Sequence, residues 1–356
     1  MAEITNKITI KDIARIARVS PATVSLVLNE KPGVGRDTRY RILSTARELN
    51  YLPNLVARSL VTRQSATIAM IITSTRNPVF PEIAAGVVEV LRERGYSLSL
   101  VSTFDDGEIE EKELANLRAR GVDGVIISSV LVDSTNIAEL VQSEFPVVSV
   151  LRRVYNCPQL DYVIMDNIKG GYLAAEHLIR LGHTRIGIIK GPTNTSTGIE
   201  RFEGAVKALQ DYGVPLPEHL IFVGDFFRRC GYMATHHFLR LPPAQRPSAI
   251  FACNDDMALG AFEAILDTGL KVPDDIALVG FNNVEATGLR TVEITTIDQQ
   301  PHEMGRLAAL RLMERLQARG PLDVYRKVLD ARLIIRRSCG FHSAGYVTAQ
   351  RMSNSF

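Results

Sequence analysis

An all-α helix-turn-helix head followed by an α/β core of two doubly wound parallel-sheet lobes is the fold class this sequence predicts. Three observations predict it. The first 50 residues carry short helical patterns and no strand pattern. Beyond residue 64, near-continuous apolar runs alternate with amphipathic stretches, the signature of parallel strands covered by helices on both faces. That alternation runs from residue 65 to residue 340, too long for one doubly wound sheet, so it divides into two lobes.

The head begins with Thr9-Ile10-Lys11-Asp12, read as a capping box with Thr9 as N-cap. Ile10, Ile13, Ala14 and Ala17 then share one helical face. Arg18-Val19-Ser20 makes a tight turn, and Ser20 caps a second helix whose first residue is Pro21, where a missing N–H does no harm. Val24, Val27 and Leu28 face inward, leaving Pro21, Ala22, Ser25, Leu26 and Asn29 outside. A third helix, 36–50, buries Ile42, Ala46 and Leu49. Two short helices joined by a three-residue turn and backed by a third form a helix-turn-helix unit.

Tyr51-Leu52-Pro53-Asn54 breaks the pattern, and 55–60 offers little more than one helical turn, marginal in water by itself. Strands are expected at 68–72, 98–101, 125–127, 147–150, 186–189, 250–253 and 277–281. Helices are expected near 82–94, 110–120, 171–181, 201–212, 232–239, 257–267 and 302–316. The resulting domains are a head at 1–50, a hinge or linker at 51–64 and a core at 65–340. Within the core, lobe 1 takes 65–165 and 293–324, and lobe 2 takes 166–292 and 325–340. Residues 341–356 lack periodicity and read as a flexible tail.

The net charge of +2 is unevenly spread. Residues 1–64 hold 11 Lys/Arg against 5 Asp/Glu, a net +6, and the other 292 residues hold 30 against 34, a net −4. A basic head on a mildly acidic body implies a polyanion partner for the head. No run approaches the roughly 20 apolar residues of a membrane helix. The N-terminus lacks a signal-peptide pattern, and the four cysteines lie far apart without a C-x-x-C, so a reduced, cytoplasmic chain is expected. No metal-ligand spacing, P-loop or nucleophile elbow occurs, and Gly33-Val34-Gly35 lacks both the third glycine and the preceding strand of a dinucleotide fingerprint. No enzyme, no cofactor and no metal are expected.

The residues also carry a family resemblance. Ile10-Lys11-Asp12-Ile13-Ala14, then Val19-Ser20-x-x-Thr23-Val24-Ser25-x-Val27-Leu28-Asn29, then Ala46-x-Glu48-Leu49-x-Tyr51-x-Pro53-Asn54 resemble the head of the LacI/GalR repressors. Asn77-Pro78-x-Phe80, Asp166-Asn167-x-x-Gly170-Gly171, Leu181-Gly182-His183, Asn254-Asp255-x-Met257-Ala258-x-Gly260 and Thr295-Thr296-Ile297 continue it in order through the core. The resemblance implies a homodimeric transcriptional repressor that binds palindromic double-stranded operator DNA under the control of a small-molecule effector. It also implies a core of the periplasmic-binding-protein type.

Carried over by resemblance, Pro21, Ala22 and Leu26 read bases, while Thr23, Ser25 and Asn29 face phosphates. None of the three readers can donate a bidentate hydrogen bond, so direct readout rests on apolar contact with thymine methyls. Two residues depart from the family: Leu26, where arginine is common, and Arg18, where the turn usually has glycine. Asn54, Ala57, Arg58 and Leu60 match the hinge helix, with Ala57 and Arg58 in the minor groove and Leu60 as the wedge that kinks the duplex. The effector contacts fall on Phe80, Thr195, Thr197, Arg201, Phe226, Asn254, Asn282 and Gln299, a set suited to a polyhydroxylated or heterocyclic ligand, with a sugar or sugar derivative expected. Simple packing is the alternative for Phe226, and a surface ion pair with Glu200 or Glu203 is the alternative for Arg201. Asn282 replaces the family's usual aspartate, which makes a ligand carboxylate or phosphate more tolerable there; a neutral hydroxyl is the competing partner.

Overall fold

The computed structural model describes residues 8–28, 31–51 and 65–341, and the capping box expected at Thr9 is present in it. Asp12 Oδ2 accepts from the Thr9 backbone N–H at 3.0 Å and opens α1 (Ile10–Ala17). The Thr9 hydroxyl, which donates to the same oxygen at 2.7 Å, and then this backbone bond hold the Asp12 carboxyl below its ordinary range. The helix closes with Arg18 in the left-handed region (φ 53°, ψ 50°), and the Val19 N–H returns to the Ala14 carbonyl at 3.0 Å.

Ser20 Oγ accepts the Thr23 N–H at 3.1 Å and so caps α2 (Pro21–Leu28). Val24 and Val27 pack against Ile13, Ala17 and Ile42, the last from α3 (Arg36–Glu48). Arg18 is an L-residue in a glycine conformation, which costs about 1 kcal/mol. Arg18→Gly is therefore expected to stabilise this unit by about 1 kcal/mol, read as slower hydrogen exchange at the Ile13 and Val24 amides. Unchanged exchange would show that the Arg18 side chain offsets its own backbone strain.

The chain divides into two compact units, Met1–Ser65 and Ala66–Phe356. The second contains a six-stranded parallel sheet in the order β11-β5-β4-β3-β1-β2 and a four-stranded parallel sheet in the order β7-β6-β8-β9. The first sheet consists of β1 (Thr67–Ile72), β2 (Ser97–Ser102), β3 (Gly124–Ile127), β4 (Val147–Val150), β5 (Asp161–Met165) and β11 (Arg326–Leu329). Alternation along β1 explains its unbroken apolar run. Ile68, Met70 and Ile72 enter the cluster that holds α4 (Val79–Glu93) and α11 (Pro301–Gln317). Ala69 and Ile71 enter the one that holds α5 (Gly107–Ala119) and α6 (Thr135–Gln142).

The second sheet consists of β6 (Ile186–Lys190), β7 (Ile221–Val223), β8 (Ala249–Ala252) and β9 (Ala277–Val279). Its helices pack in pairs, α7 (Asn167–Arg180) with α8 (Ser196–Asp211) and α9 (Arg228–Leu239) with α10 (Asp255–Asp267). An antiparallel ribbon of β10 (Thr296–Asp298) and β12 (Arg332–Ile334) accompanies the chain between the lobes.

Two lobe boundaries differ from expectation. Residues 325–329, assigned from the sequence to lobe 2, belong to lobe 1, because Arg326–Leu329 pairs in parallel with Tyr162–Met165 of β5. Likewise, residues 293–295 stay with lobe 2, where Gly280 N–H donates to the Thr295 carbonyl at 2.8 Å. Polar sequence hid the pairing of β11 with β5. Three of the four β11 residues are exposed at the sheet edge, and β5 opens on a fully buried carboxylate, Asp161, which only a tertiary ion pair makes tolerable.

Candidate functional site

Seven of the eight expected ligand residues converge. Phe80, Thr197, Arg201, Phe226, Asn254, Asn282 and Gln299 line one cavity of about 20 Å³ at the junction of the lobes, together with Asn77, Val79, Leu151 and Arg152. That volume holds about one water, whereas ligand pockets run to roughly 300–1,000 Å³. As it stands, the cavity is too small for a sugar-sized ligand.

Thr195 is the exception among the eight. Its hydroxyl accepts the Gly198 N–H and donates to the Pro192 carbonyl, both at 3.2 Å, so it caps α8 rather than lining the cavity. Asn254 combines both roles. It lines the cavity, and its Oδ1 accepts the Met257 N–H at 2.9 Å while its Nδ2 donates to the Phe226 carbonyl at 2.7 Å. Phe226 is accordingly a lining residue held by its own backbone at φ 69°.

Arg201 is at the centre of the site. It is 3% exposed and forms no surface ion pair. Its Nε donates to Asn167 Oδ1 (3.0 Å), Nη1 to the Cys253 carbonyl (2.8 Å) and Asn282 Oδ1 (3.1 Å), and Nη2 to Gln299 Oε1 (3.1 Å). The guanidinium also lies 3.9 Å from the centre of the Phe281 ring. Burial pulls its pKa down to about 9. Glu200, the neighbour considered from sequence, turns instead to Arg153 Nε (2.8 Å), the Tyr155 hydroxyl and Asn167 Nδ2.

Glycines bring α8 close enough for this network. A Cβ on Gly171 would lie 2.0 Å from the Arg201 carbonyl oxygen, and one on Gly204 would lie 1.9 Å from that of Ile168. Backbone-to-backbone contact between α7 and α8 thus sets Asn167 against Arg201.

The loop bearing Asn282 is strained and pinned. Asn283 (φ 60°) occupies the left-handed region that asparagine accepts better than most residues, whereas Asn282 (φ 124°) lies beyond it, in a conformation strained for any L-residue. Asn282 N–H donates to the Ile297 carbonyl at 2.8 Å, and Asp255 fixes the loop by accepting from Val284 N–H (2.9 Å) and the Thr296 hydroxyl (2.7 Å). Burial pushes the Asp255 carboxyl up to about 6 against those hydrogen bonds.

Sequence reasoning missed Arg152. It lies two residues past β4, at the carboxyl end of a parallel strand, which is where ligands bind in such sheets, and that position was the available signal. Its Nη1 and Nη2 form a bidentate pair with Asp105 at 2.6 and 3.2 Å, and its buried Nε has no partner.

In the first unit, Pro21 and Ala22 are exposed at the start of α2, and Thr23, Ser25 and Leu26 are half-buried. The Thr23 hydroxyl shares a 2.8 Å hydrogen bond with Ser20. Lys11, Arg15, Arg18, Lys31, Arg36, Arg41 and Arg47 are all exposed. Asn29, Asn54, Ala57, Arg58 and Leu60 lie outside the described residues.

Comparison with known proteins covers both units. Residues 9–54 match the model of bacterial regulatory proteins of the lacI family, and residues 65–329 match that of periplasmic binding proteins and the sugar-binding domain of the LacI family. The chain is 35% identical to the HTH-type transcriptional repressor PurR of Mannheimia succiniciproducens, over 93% of this chain and 98% of that one. It is 34% identical to the ribose operon repressor of Haemophilus influenzae, again over 93% and 98%. Among solved structures, the lac repressor dimer bound to operator and the anti-inducer ONPF has a TM-score of 0.83 at 29% identity, covering 94% of this chain and 99% of that one. The complex of the transcriptional regulator CelR with cellobiose has a TM-score of 0.70 at 31% identity, covering 93% and 99%.

Proposed function

Because the chain belongs to the LacI family of bacterial regulatory proteins, we infer that it is an operator-binding transcriptional repressor controlled by a small molecule in the core cavity. It acts as a homodimer on palindromic duplex DNA and is not an enzyme. One observation carries this reading: a cavity lined by Phe80, Thr197, Arg201, Phe226, Asn254, Asn282 and Gln299 occurs in the same chain as a basic helix-turn-helix unit. A solute-binding protein needs only the first. The cytoplasm, where operator DNA is found, is the proposed compartment.

In this reading the exposed start of α2 enters the major groove. Pro21, Ala22 and Leu26 meet base edges, and the exposed arginines and lysines meet phosphates together with Thr23, Ser25 and Asn29. Asn54, Ala57 and Arg58 follow the minor groove, and Leu60 opens the central step. Thr195 supports the site by fixing the first turn of α8, two residues before the lining Thr197. Ligand and DNA bind one molecule at separate sites, so each must change the other's affinity by the same factor.

Mobility shift on the DNA upstream of the protein's own gene tests the reading. A dimer is expected to bind, with log K falling by about 0.9 per neutralised phosphate as log salt rises. Salt-insensitive binding, or full affinity as a monomer, would overturn it.

A further inference from the structure

We propose that the effector is an anion whose carboxylate or phosphate is held between two arginines presented by different lobes, Arg201 on α8 and Arg152 after β4. The proposal rests on the cavity being the effector site, as inferred above.

Among the described residues, Arg152 and Arg201 are the only charged ones lining the cavity. Asp105 answers Arg152, and Glu200 answers Arg153. Arg201, by contrast, hydrogen-bonds only to amide and backbone oxygens among the described residues. Asp255 and Glu200 act on it at a distance only, because the oxygens of Asp255 are taken by Val284 N–H and the Thr296 hydroxyl and those of Glu200 by Arg153, Tyr155 and Asn167. A buried guanidinium without an adjacent counter-charge is costly.

The amides around Arg201 are oriented by it. A guanidinium only donates, so Asn282 and Gln299 must turn their oxygens toward it and their NH2 groups elsewhere. Among the described residues, neither the fully buried Gln299 Nε2 nor Arg152 Nε has a partner. A site with surplus positive charge and unanswered donors lacks acceptors that carry negative charge. An oxyanion supplies both, whereas a neutral hydroxyl supplies an acceptor without the charge. A carboxylate at position 282 would supply the counter-charge from within, and Asn282 does not. An anion seated here also joins Arg152 of one lobe to Arg201 of the other, so its charge favours closure.

The full-length protein is tested as wild type, Asn282→Asp and Asn282→Ala, by thermal melting and calorimetry. The probes are matched pairs: D-gluconate and D-glucuronate against D-glucose, and D-ribose 5-phosphate against D-ribose. Aspartate accepts positive φ about as readily as asparagine, so Asn282→Asp should fold. Without ligand, Asn282→Asp is expected to melt above wild type, and Asn282→Ala is not. Any probe that binds wild type is expected to be at least tenfold tighter as the anion, with that advantage erased in Asn282→Asp. The two pairs distinguish a carboxylate from a phosphate.

An Asn282→Asp variant that melts no higher than wild type overturns the proposal, even if no probe binds. So does a neutral sugar that binds wild type as tightly as its acid. Failure of the site itself reads differently: a bound probe unaffected by Arg201→Met and Phe80→Ala lies outside this cavity.

Discussion

Arg201→Met is expected to abolish the response to effector while leaving operator binding intact. Four of the five guanidinium N–H donors are already engaged, which leaves one for a ligand. A single charge-assisted hydrogen bond, at about 1.5–3 kcal/mol, corresponds to a loss of affinity of about 10- to 150-fold. The effect on stability is limited because two terms oppose. Methionine leaves Asn167 Oδ1, the Cys253 carbonyl, Asn282 Oδ1 and Gln299 Oε1 without their donor. It also removes a desolvated charge, so the net loss should be about 2 kcal/mol. Arg201→Lys keeps the charge but cannot answer four acceptors at once, and it should restore little of the response. Mobility shifts with and without effector decide this, and a variant that still responds would show that Arg201 is structural only.

Asp161→Ala is expected to destabilise the core by about 3–5 kcal/mol. Asp161 is fully buried and accepts from Arg311 Nε (2.6 Å), Arg315 Nε (2.5 Å) and the Tyr325 N–H (2.7 Å). Removing it leaves Arg311, itself buried, with only the exposed Glu314 as counter-charge at the point where the chain returns to β11. At roughly 2–4 °C per kcal/mol, the melting temperature falls by about 10 °C.

Acidity provides a second readout. Burial raises the Asp161 pKa, but the hydrogen bonds from Arg315, Arg311 and Tyr325 outweigh it and hold the carboxyl below its ordinary range. Its contribution is thus fully present above the unfolded pKa of about 3.9 and is lost as pH falls toward the lower folded value. Wild type should lose this stability below about pH 4, and Asp161→Ala should show a flatter acid limb. Equal acid limbs would place the ion pairs outside the stability balance.

The elements that were legible before the fold was seen depend on short spacing. Thr9 and Asp12 are three residues apart, as are Ser20 and Thr23, and both caps form as read. The apolar runs of β1, β3, β4, β6 and β8 are legible because a strand buried on both faces needs no polar alternation. By itself, then, the sequence determined the helix-turn-helix head, the two-lobed α/β core and, through resemblance, seven of the residues that meet at the cavity.

Tertiary structure alone decided how those residues are used. The partners of Arg201 lie 34, 52, 81 and 98 residues away, and no local pattern encodes such pairings. It likewise turned Thr195 into a cap, brought Arg152 in from the other lobe and placed Arg326–Leu329 beside β5. The physical reason is one of range. Caps and periodicity are settled by backbone geometry over three or four residues, whereas a buried charge or a polar edge strand is stable only once distant segments supply its partners.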